Sequence, residues 1–242
     1  MITLLIATRN AHKLSEIRTI LGGQFRFLTL NDVQGAPEVV EDADTFAGNA
    51  SKKAVELARW WRQSSKSSVR SGDEWYVLAD DSGLEVDALE GAPGVHSARF
   101  AALDSGQAGN SSTSQNNAKL LRLLEGIPQE KRTARFRCVL ALTRLPGPFP
   151  AAARPVSPAL EMEFETKSFE GTCEGRLGFG PRGQGGFGYD PLFFPVGFDQ
   201  TFGELGEAVK NRLSHRAKAL AKLRQFLTPN EGGTLGADTS AA

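Results

Sequence analysis

The sequence predicts an α/β fold, and three observations carry that expectation. Met1–Ala7 is a mostly apolar run of strand length, with Thr3 inside it, as in a parallel strand buried on both faces, and Leu14, Ile17 and Leu21 follow at helical spacing. A second strand-like stretch, Phe25–Leu30, precedes another helical pattern from Phe46 to Trp61. A third, Val77–Val86, interrupts its apolar run at Asp80-Asp81-Ser82-Gly83. Asp and Gly are disfavoured inside strands, so the acids are expected where the strand ends at a sheet edge. Alternation along a strand sends Asp80 and Asp81 to opposite sides. An Asx turn and a metal site both fit this stretch taken by itself.

Between the first strand and its helix, Thr8-Arg9-Asn10-Ala11-His12-Lys13 opens onto a helix N-terminus. Free N–H groups and the positive dipole end favour a phosphate there, although Asn10 can equally cap the helix and leave Lys13 as a solvated charge. The glycine-rich Walker pattern is missing. Gly22-Gly23 stops this helix. After an acidic approach, Pro37–Asp44, Thr45 is placed to cap a helix whose stripe is Phe46, Ala50, Ala54, Leu57, Ala58 and Trp61. Lys53 borders that stripe while Lys52 points to water, so Lys53 is the lysine placed to reach a ligand or to snorkel along apolar surface.

Arg62–Trp75, Ser-rich and aperiodic, predicts a surface loop. Leu89–Arg99 has the Gly and Pro spacing of a tight loop, Asp104–Gln115 is polar, and Leu120, Leu121 and Leu124 mark a helix ending at Gly126. Arg135–Leu142 reads as a strand and Leu145–Pro158 as an excursion; Leu160, Met162 and Phe164 then alternate with Glu161, Glu163 and Glu165 in a strand with one wet face. Gly183–Phe194 sets glycines around Phe187 and Tyr189, rings that can stack on a flat ligand or pack in a core. Lys210–Arg216 leads into a final helix carrying Leu220, Leu223 and Leu227, and a disordered tail is expected over 228–242.

Lys and Arg (28) balance Asp and Glu (28), so no global field draws the chain to nucleic acid or to an anionic membrane. Two cysteines form neither a disulfide framework nor a zinc cluster, and Cys138 in its apolar run reads as a buried thiol. The apolar start is too short for a signal segment and later runs too short for a membrane span, which predicts a cytoplasmic protein.

Together these residues form an acid cluster (Glu41, Asp80, Asp81), three cations suited to phosphates (Lys13, Lys53, Lys210), a stacking ring (Phe187) and polar edge readers (Ser214, His215, Arg216). Carboxylates suit a hard cation, lysines a polyphosphate, and a ring with donors a base: the parts of a magnesium-dependent nucleotide hydrolase. Six stretches in order, Ala7–Lys13, Thr45–Ala54, Ala79–Leu84, Gly91–Arg99, Gly186–Pro191 and Ser214–Arg216, resemble the inosine triphosphate pyrophosphatase family.

That resemblance runs from the first strand to about Leu227 and implies one domain over 1–227, usually a homodimer. It implies an elongated central mixed β-sheet flanked by helices, in two lobes with the active-site cleft between them. The implied reaction is Mg²⁺-dependent hydrolysis of the purine nucleoside triphosphates dITP, ITP and XTP to the monophosphate and pyrophosphate. Thr8, Arg9, Asn10, Ala11, His12 and Lys13 are implied on the triphosphate, Glu41 and Asp81 on Mg²⁺, and Asp81 as proton acceptor for the attacking water. Ser82, Phe187, Gly188, Tyr189 and Asp190 are implied around the nucleoside, Lys210 on the substrate, and His215 with Arg216 on the purine.

The chain departs from the family at 62–75, at 145–158 and in its tail, which touches loops and dimer geometry rather than chemistry. One alternative is a Maf-like pyrophosphatase acting on modified pyrimidine or 7-methylguanosine triphosphates, against which Ser214-His215-Arg216 argues. The other is a non-catalytic nucleotide-binding module, against which the three acids argue.

Overall fold

The computed structural model describes residues 1–64, 73–106, 109–145 and 164–229. Strand β1 (Ile2–Ile6) is largely buried on both faces, as its apolar run requires, and pairs in parallel with β2 (Arg26–Thr29) and β3 (Glu74–Val86). Strands β4 (Thr133–Leu145), β5 (Thr166–Leu177) and β6 (Phe193–Pro195) extend the sheet antiparallel, in the order β2-β1-β3-β4-β5-β6. The sheet is mixed, with helices on both faces.

On one face, α1 (Ala11–Leu21) and α7 (His215–Leu227) cover Leu4, Ile6, Leu78, Cys138 and Leu140. On the other, α2 (Phe46–Gln63) lays its apolar stripe on Leu5, Val77, Ala79, Val139 and Ala141. A third core, built on Leu84, Val86, Phe136, Leu177, Phe193 and Phe202, takes Leu120 from α4 (Thr113–Leu123) at the far end of the sheet. The described residues also include the short α-helices α3 (Ala102–Ser105), α5 (Phe202–Leu205) and α6 (Glu207–Leu213) and 3₁₀ turns such as Gly94–Arg99.

The expected strand end at Asp80 does not exist: β3 runs without a break through Asp80, Asp81, Ser82 and Gly83 to Val86. Strand propensities differ by only about 1 kcal/mol. Leu84 and Val86 beyond the acids are fully buried, and each such side chain contributes roughly 1.5–3 kcal/mol, so burial outweighs local preference. Gly83 serves close approach rather than a turn, since a Cβ there would lie 2.4 Å from Ser97 Oγ and 2.5 Å from the Gly94 carbonyl oxygen.

Other boundaries differ as well. Helix α2 continues to Gln63 and β3 begins at Glu74, so the anticipated 62–75 loop is shorter; residues 65–72 lie outside the described set. Asp104 belongs to α3, and α4 starts behind a Ser112–Gln115 capping box and ends at Leu123, before Gly126. Most of the anticipated excursion and alternating strand falls at 146–163, outside the described residues, and Phe164 and Glu165 precede β5 rather than belonging to a strand. Of the expected tail, only Thr228 and Pro229 are described. Among the described residues no helix is long and apolar enough to cross a membrane.

Strand β5 itself was not anticipated, because Gly171 and Gly175 lie in a polar stretch. Gly171 lets α7 sit against the strand: a Cβ there would stand 2.1 Å from the His215 carbonyl oxygen and 2.6 Å from the Ala219 nitrogen. Gly171→Ala is therefore expected to destabilise the protein by about 1–3 kcal/mol, measured by urea unfolding. An unchanged midpoint would show that α7 moves away freely.

Candidate active site

Strand β1 pairs with β3 only as far as Leu78; the Ala7 N–H donates to the Leu78 carbonyl at 2.8 Å, and the chain then turns away through Thr8–Asn10 into α1. Asp80 and Asp81 therefore stand just where β3 loses its parallel neighbour. Ligands of α/β sheets gather outside such strand ends. Pleating places the two carboxylates on opposite faces, as expected, and each organises its own set of charges.

Asp80 faces α1 and α7 and is enclosed by donors. Its Oδ1 accepts from Lys13 Nζ at 2.6 Å and Ser82 Oγ at 3.0 Å; its Oδ2 accepts from Arg216 Nε at 2.8 Å and the Cys138 thiol at 3.3 Å. Burial works against the charge, yet Arg216 and Lys13 hold this carboxyl well below its ordinary range. Arg216 also donates to Glu16 Oε2 at 2.5 Å and Ser82 Oγ at 2.8 Å and is 0% exposed. Most of its guanidinium is thereby taken up by Asp80, Glu16 and Ser82. Glu16 was not singled out from the sequence. A glutamate three residues after a helical lysine ordinarily marks a solvated face, but this one also accepts from Lys210 Nζ at 2.8 Å. Burial would raise its pKa, but Arg216 and Lys210 draw it below its usual value.

Asp81 faces α2. Its Oδ1 lies 3.3 Å from Lys53 Nζ, which also donates to the Asp80 carbonyl at 2.8 Å and to Glu41 Oε1 at 3.1 Å. Lys53 thus turns inward to the acids, a contact that its place beside the α2 stripe allows but does not by itself specify. Asp81 Oδ2 is buried without a hydrogen-bond partner. Burial raises the Asp81 pKa; Lys53 and Lys13 oppose the rise, while Glu41 and Asp80 add to it. A buried carboxylate oxygen lacking a donor is costly until something cationic completes it. Two carboxylates, one with an orphaned oxygen, fit a hard divalent cation that takes few protein ligands and fills the rest with water and phosphate. Among the described residues no group of three or more His, Cys, Asp or Glu is arranged to hold a metal.

A third group closes on the Asp80 side. Asp190 Oδ2 accepts from the Phe187 N–H at 2.8 Å and from Lys210 Nζ at 2.6 Å; burial raises this carboxyl despite Lys210. Lys210 lies 4.3 Å from the Phe187 ring centroid, and His12 stacks on the same ring at 5.1 Å and 14°. Phe187 is therefore the ring that lies against Lys210 and His12. Tyr189 packs in the core and donates its hydroxyl to the Ser97 carbonyl at 2.9 Å, while the Gly188 carbonyl accepts from Asn117 at 3.2 Å.

In the loop before α1, Asn10 caps the helix by accepting from the His12 and Lys13 N–H groups at 2.9 and 3.1 Å, and Thr8 Oγ1 accepts from the Asn10 N–H at 3.1 Å. Arg9 and Ala11 are exposed. His215 is buried against Phe136 with ring centroids 4.9 Å apart and its Nδ1 unpartnered. Burial, with Arg216 and Lys210 nearby, pushes its pKa well down, so its imidazole is neutral. Ser214 caps α7 through the Ala217 N–H, and the His215 and Arg216 N–H groups fall in a first turn that the helix itself cannot satisfy.

A sequence profile of the Ham1 family matches residues 4–226. A dITP/XTP pyrophosphatase of Desulforamulus reducens is 44% identical over 225 residues, 93% of this chain and 94% of that protein. A dITP/XTP pyrophosphatase of Geobacter sulfurreducens is 44% identical over 228 residues, 94% of this chain and 97% of that protein. The solved structure of a HAM1 protein from Coxiella burnetii superimposes with a TM-score of 0.71 at 31% identity, covering 95% of this chain and 100% of that one.

Proposed function

The chain belongs to the Ham1 family, and from that premise we propose that it hydrolyses dITP, XTP and ITP to the nucleoside monophosphate and pyrophosphate. The observation that carries the reading is Asp81, with one carboxylate oxygen on Lys53, which also donates to Glu41, and the other buried and unpartnered. The names of the relatives speak against the modified-pyrimidine alternative.

In the proposed reaction, water oxygen bonds to the α-phosphorus as the bond to the bridging oxygen breaks. Pyrophosphate leaves with that oxygen, and the proton from water passes to the Asp81 carboxylate. Glu41 and Asp81 would hold a divalent cation, assigned as Mg²⁺, which when bound neutralises phosphate charge. Lys53 keeps Asp81 and Glu41 oriented, and Lys13, with the Thr8–Asn10 turn and the first residues of α1, would face the polyphosphate.

The first-turn N–H groups of α7 suit the 6-keto oxygen of hypoxanthine or xanthine, whereas adenine would set a donor against donors. Arg216, anchored by Asp80 and Glu16, positions that turn rather than touching the base. The family resemblance extends the proposal to a single domain over 1–227 that works as a cytoplasmic homodimer.

A pyrophosphate-release assay on a nucleotide panel, with and without Mg²⁺, tests this. The kcat/KM for dITP, XTP and ITP is expected to exceed that for ATP by roughly 10⁴-fold, since buried donors are left unpaired by the wrong edge. Comparable release from ATP, or from modified pyrimidine nucleotides, would sink the assignment.

A further inference from the structure

Glu41 lies in a segment, 37–44, with neither helix nor strand, yet the proposed chemistry needs its carboxylate at a set distance from Asp81. Its carboxylate is held by Lys53, a contact that a bound cation would have to share. Its backbone is held separately. Arg99 donates from a terminal guanidinium nitrogen to the Glu41 carbonyl at 3.0 Å, across 58 residues. Two residues on, Asn49 bonds both the N–H and the carbonyl of Ala43, at 3.0 and 3.2 Å.

Arg99 ends the 3₁₀ helix Gly94–Arg99, which is fastened to β3. Ser97 Oγ accepts from the Leu84 N–H at 2.9 Å and donates to the Gly94 carbonyl at 2.6 Å. The Ser97 and Ala98 carbonyls accept from Tyr189 and Asn116. The guanidinium is thus the free end of a rigid bracket standing on the strand that carries Asp81. A backbone anchor fixes where Glu41 starts while leaving its side chain able to turn.

We propose that Arg99 is a positioning residue, which sets Glu41 opposite Asp81 through the Glu41 carbonyl and does not itself touch the reacting atoms. The proposal rests on the reading of Glu41 and Asp81 as the cation-holding pair. Supporting residues of this kind are worth roughly 10- to 100-fold in metal affinity.

The test is binding of Mn²⁺ alone to the nucleotide-free protein, followed by electron paramagnetic resonance, for wild type, Arg99→Ala, Arg99→Lys and Glu41→Ala. Arg99→Ala is expected to weaken Mn²⁺ roughly tenfold, Arg99→Lys to recover part of the loss through its single donor, and Glu41→Ala to weaken it at least as much. At saturating Mg²⁺ the KM of Arg99→Ala for dITP should stay near wild type. If Glu41→Ala weakens Mn²⁺ while Arg99→Ala leaves it within twofold, or if Arg99→Ala raises the KM for dITP without touching Mn²⁺, the positioning role is overturned and the reading of Glu41 stands. If Glu41→Ala itself leaves Mn²⁺ unchanged, the reading of Glu41 fails and the role of Arg99 with it. Should Arg99→Ala fail to fold, Arg99→Gln carries the same comparison.

Discussion

Asp81→Asn is expected to lower kcat for pyrophosphate release by roughly 10³-fold or more while the protein stays folded. The amide keeps the volume and loses both the proton acceptor and an anionic oxygen. Stability should move the other way. A carboxyl whose folded pKa is raised favours folding in its protonated form, a contribution present at low pH and lost as pH rises through the folded pKa. At neutral pH the ionised Asp81 is therefore a burden on the fold, and the neutral variant should melt at the same temperature or higher, with Lys53 still on Glu41 and the Asp80 carbonyl. Near-normal turnover would remove Asp81 from the chemistry, and a large fall in melting temperature would show it to be structural.

Its neighbour should behave in the opposite sense. Asp80→Asn leaves Arg216 and Lys13 facing an amide in a fully enclosed site, and breaking a buried ion pair from one side costs about 3–5 kcal/mol. Here the folded pKa is lowered, so the carboxylate's contribution is complete above the unfolded value of about 3.9 and is lost as pH falls through the folded pKa. Urea unfolding at neutral pH should show the full difference between wild type and variant, and the difference should shrink on acidification below about pH 4. A gap that stays constant with pH would locate the loss in packing instead.

Much of this was legible wherever a short-range period governs. The strand alternation put Asp80 and Asp81 on opposite faces, the 3.6-residue period of α2 singled out Lys53 from Lys52, and Thr45 caps α2 as its side chain predicts. What was hidden depends on distant partners. Arg216 reads locally as a surface donor because its acid, Asp80, is 136 residues away. Glu16 becomes part of the site only because Lys210 and Arg216 fold back onto α1. Phe187 and Tyr189 are indistinguishable in sequence, and the Ser97 carbonyl that claims the tyrosine comes from a separate loop.

The stack of His12 on Phe187 bears on how any base is admitted. Aromatic pairs sit with centroids about 4.5–7 Å apart, so the 5.1 Å between these rings leaves no place for a third between them. On the proposed reading His12 would be a tethered competitor, present at an effective concentration set by its fixed place in the first turn of α1 rather than by the solution. A base that reaches this face of Phe187 exchanges one ring contact for another of similar strength, and the exchange is nearly blind to which purine arrives. On that same reading, discrimination would then fall to the edge of the base, where acceptors and donors differ, and the ring would be a common seat for right and wrong substrates alike.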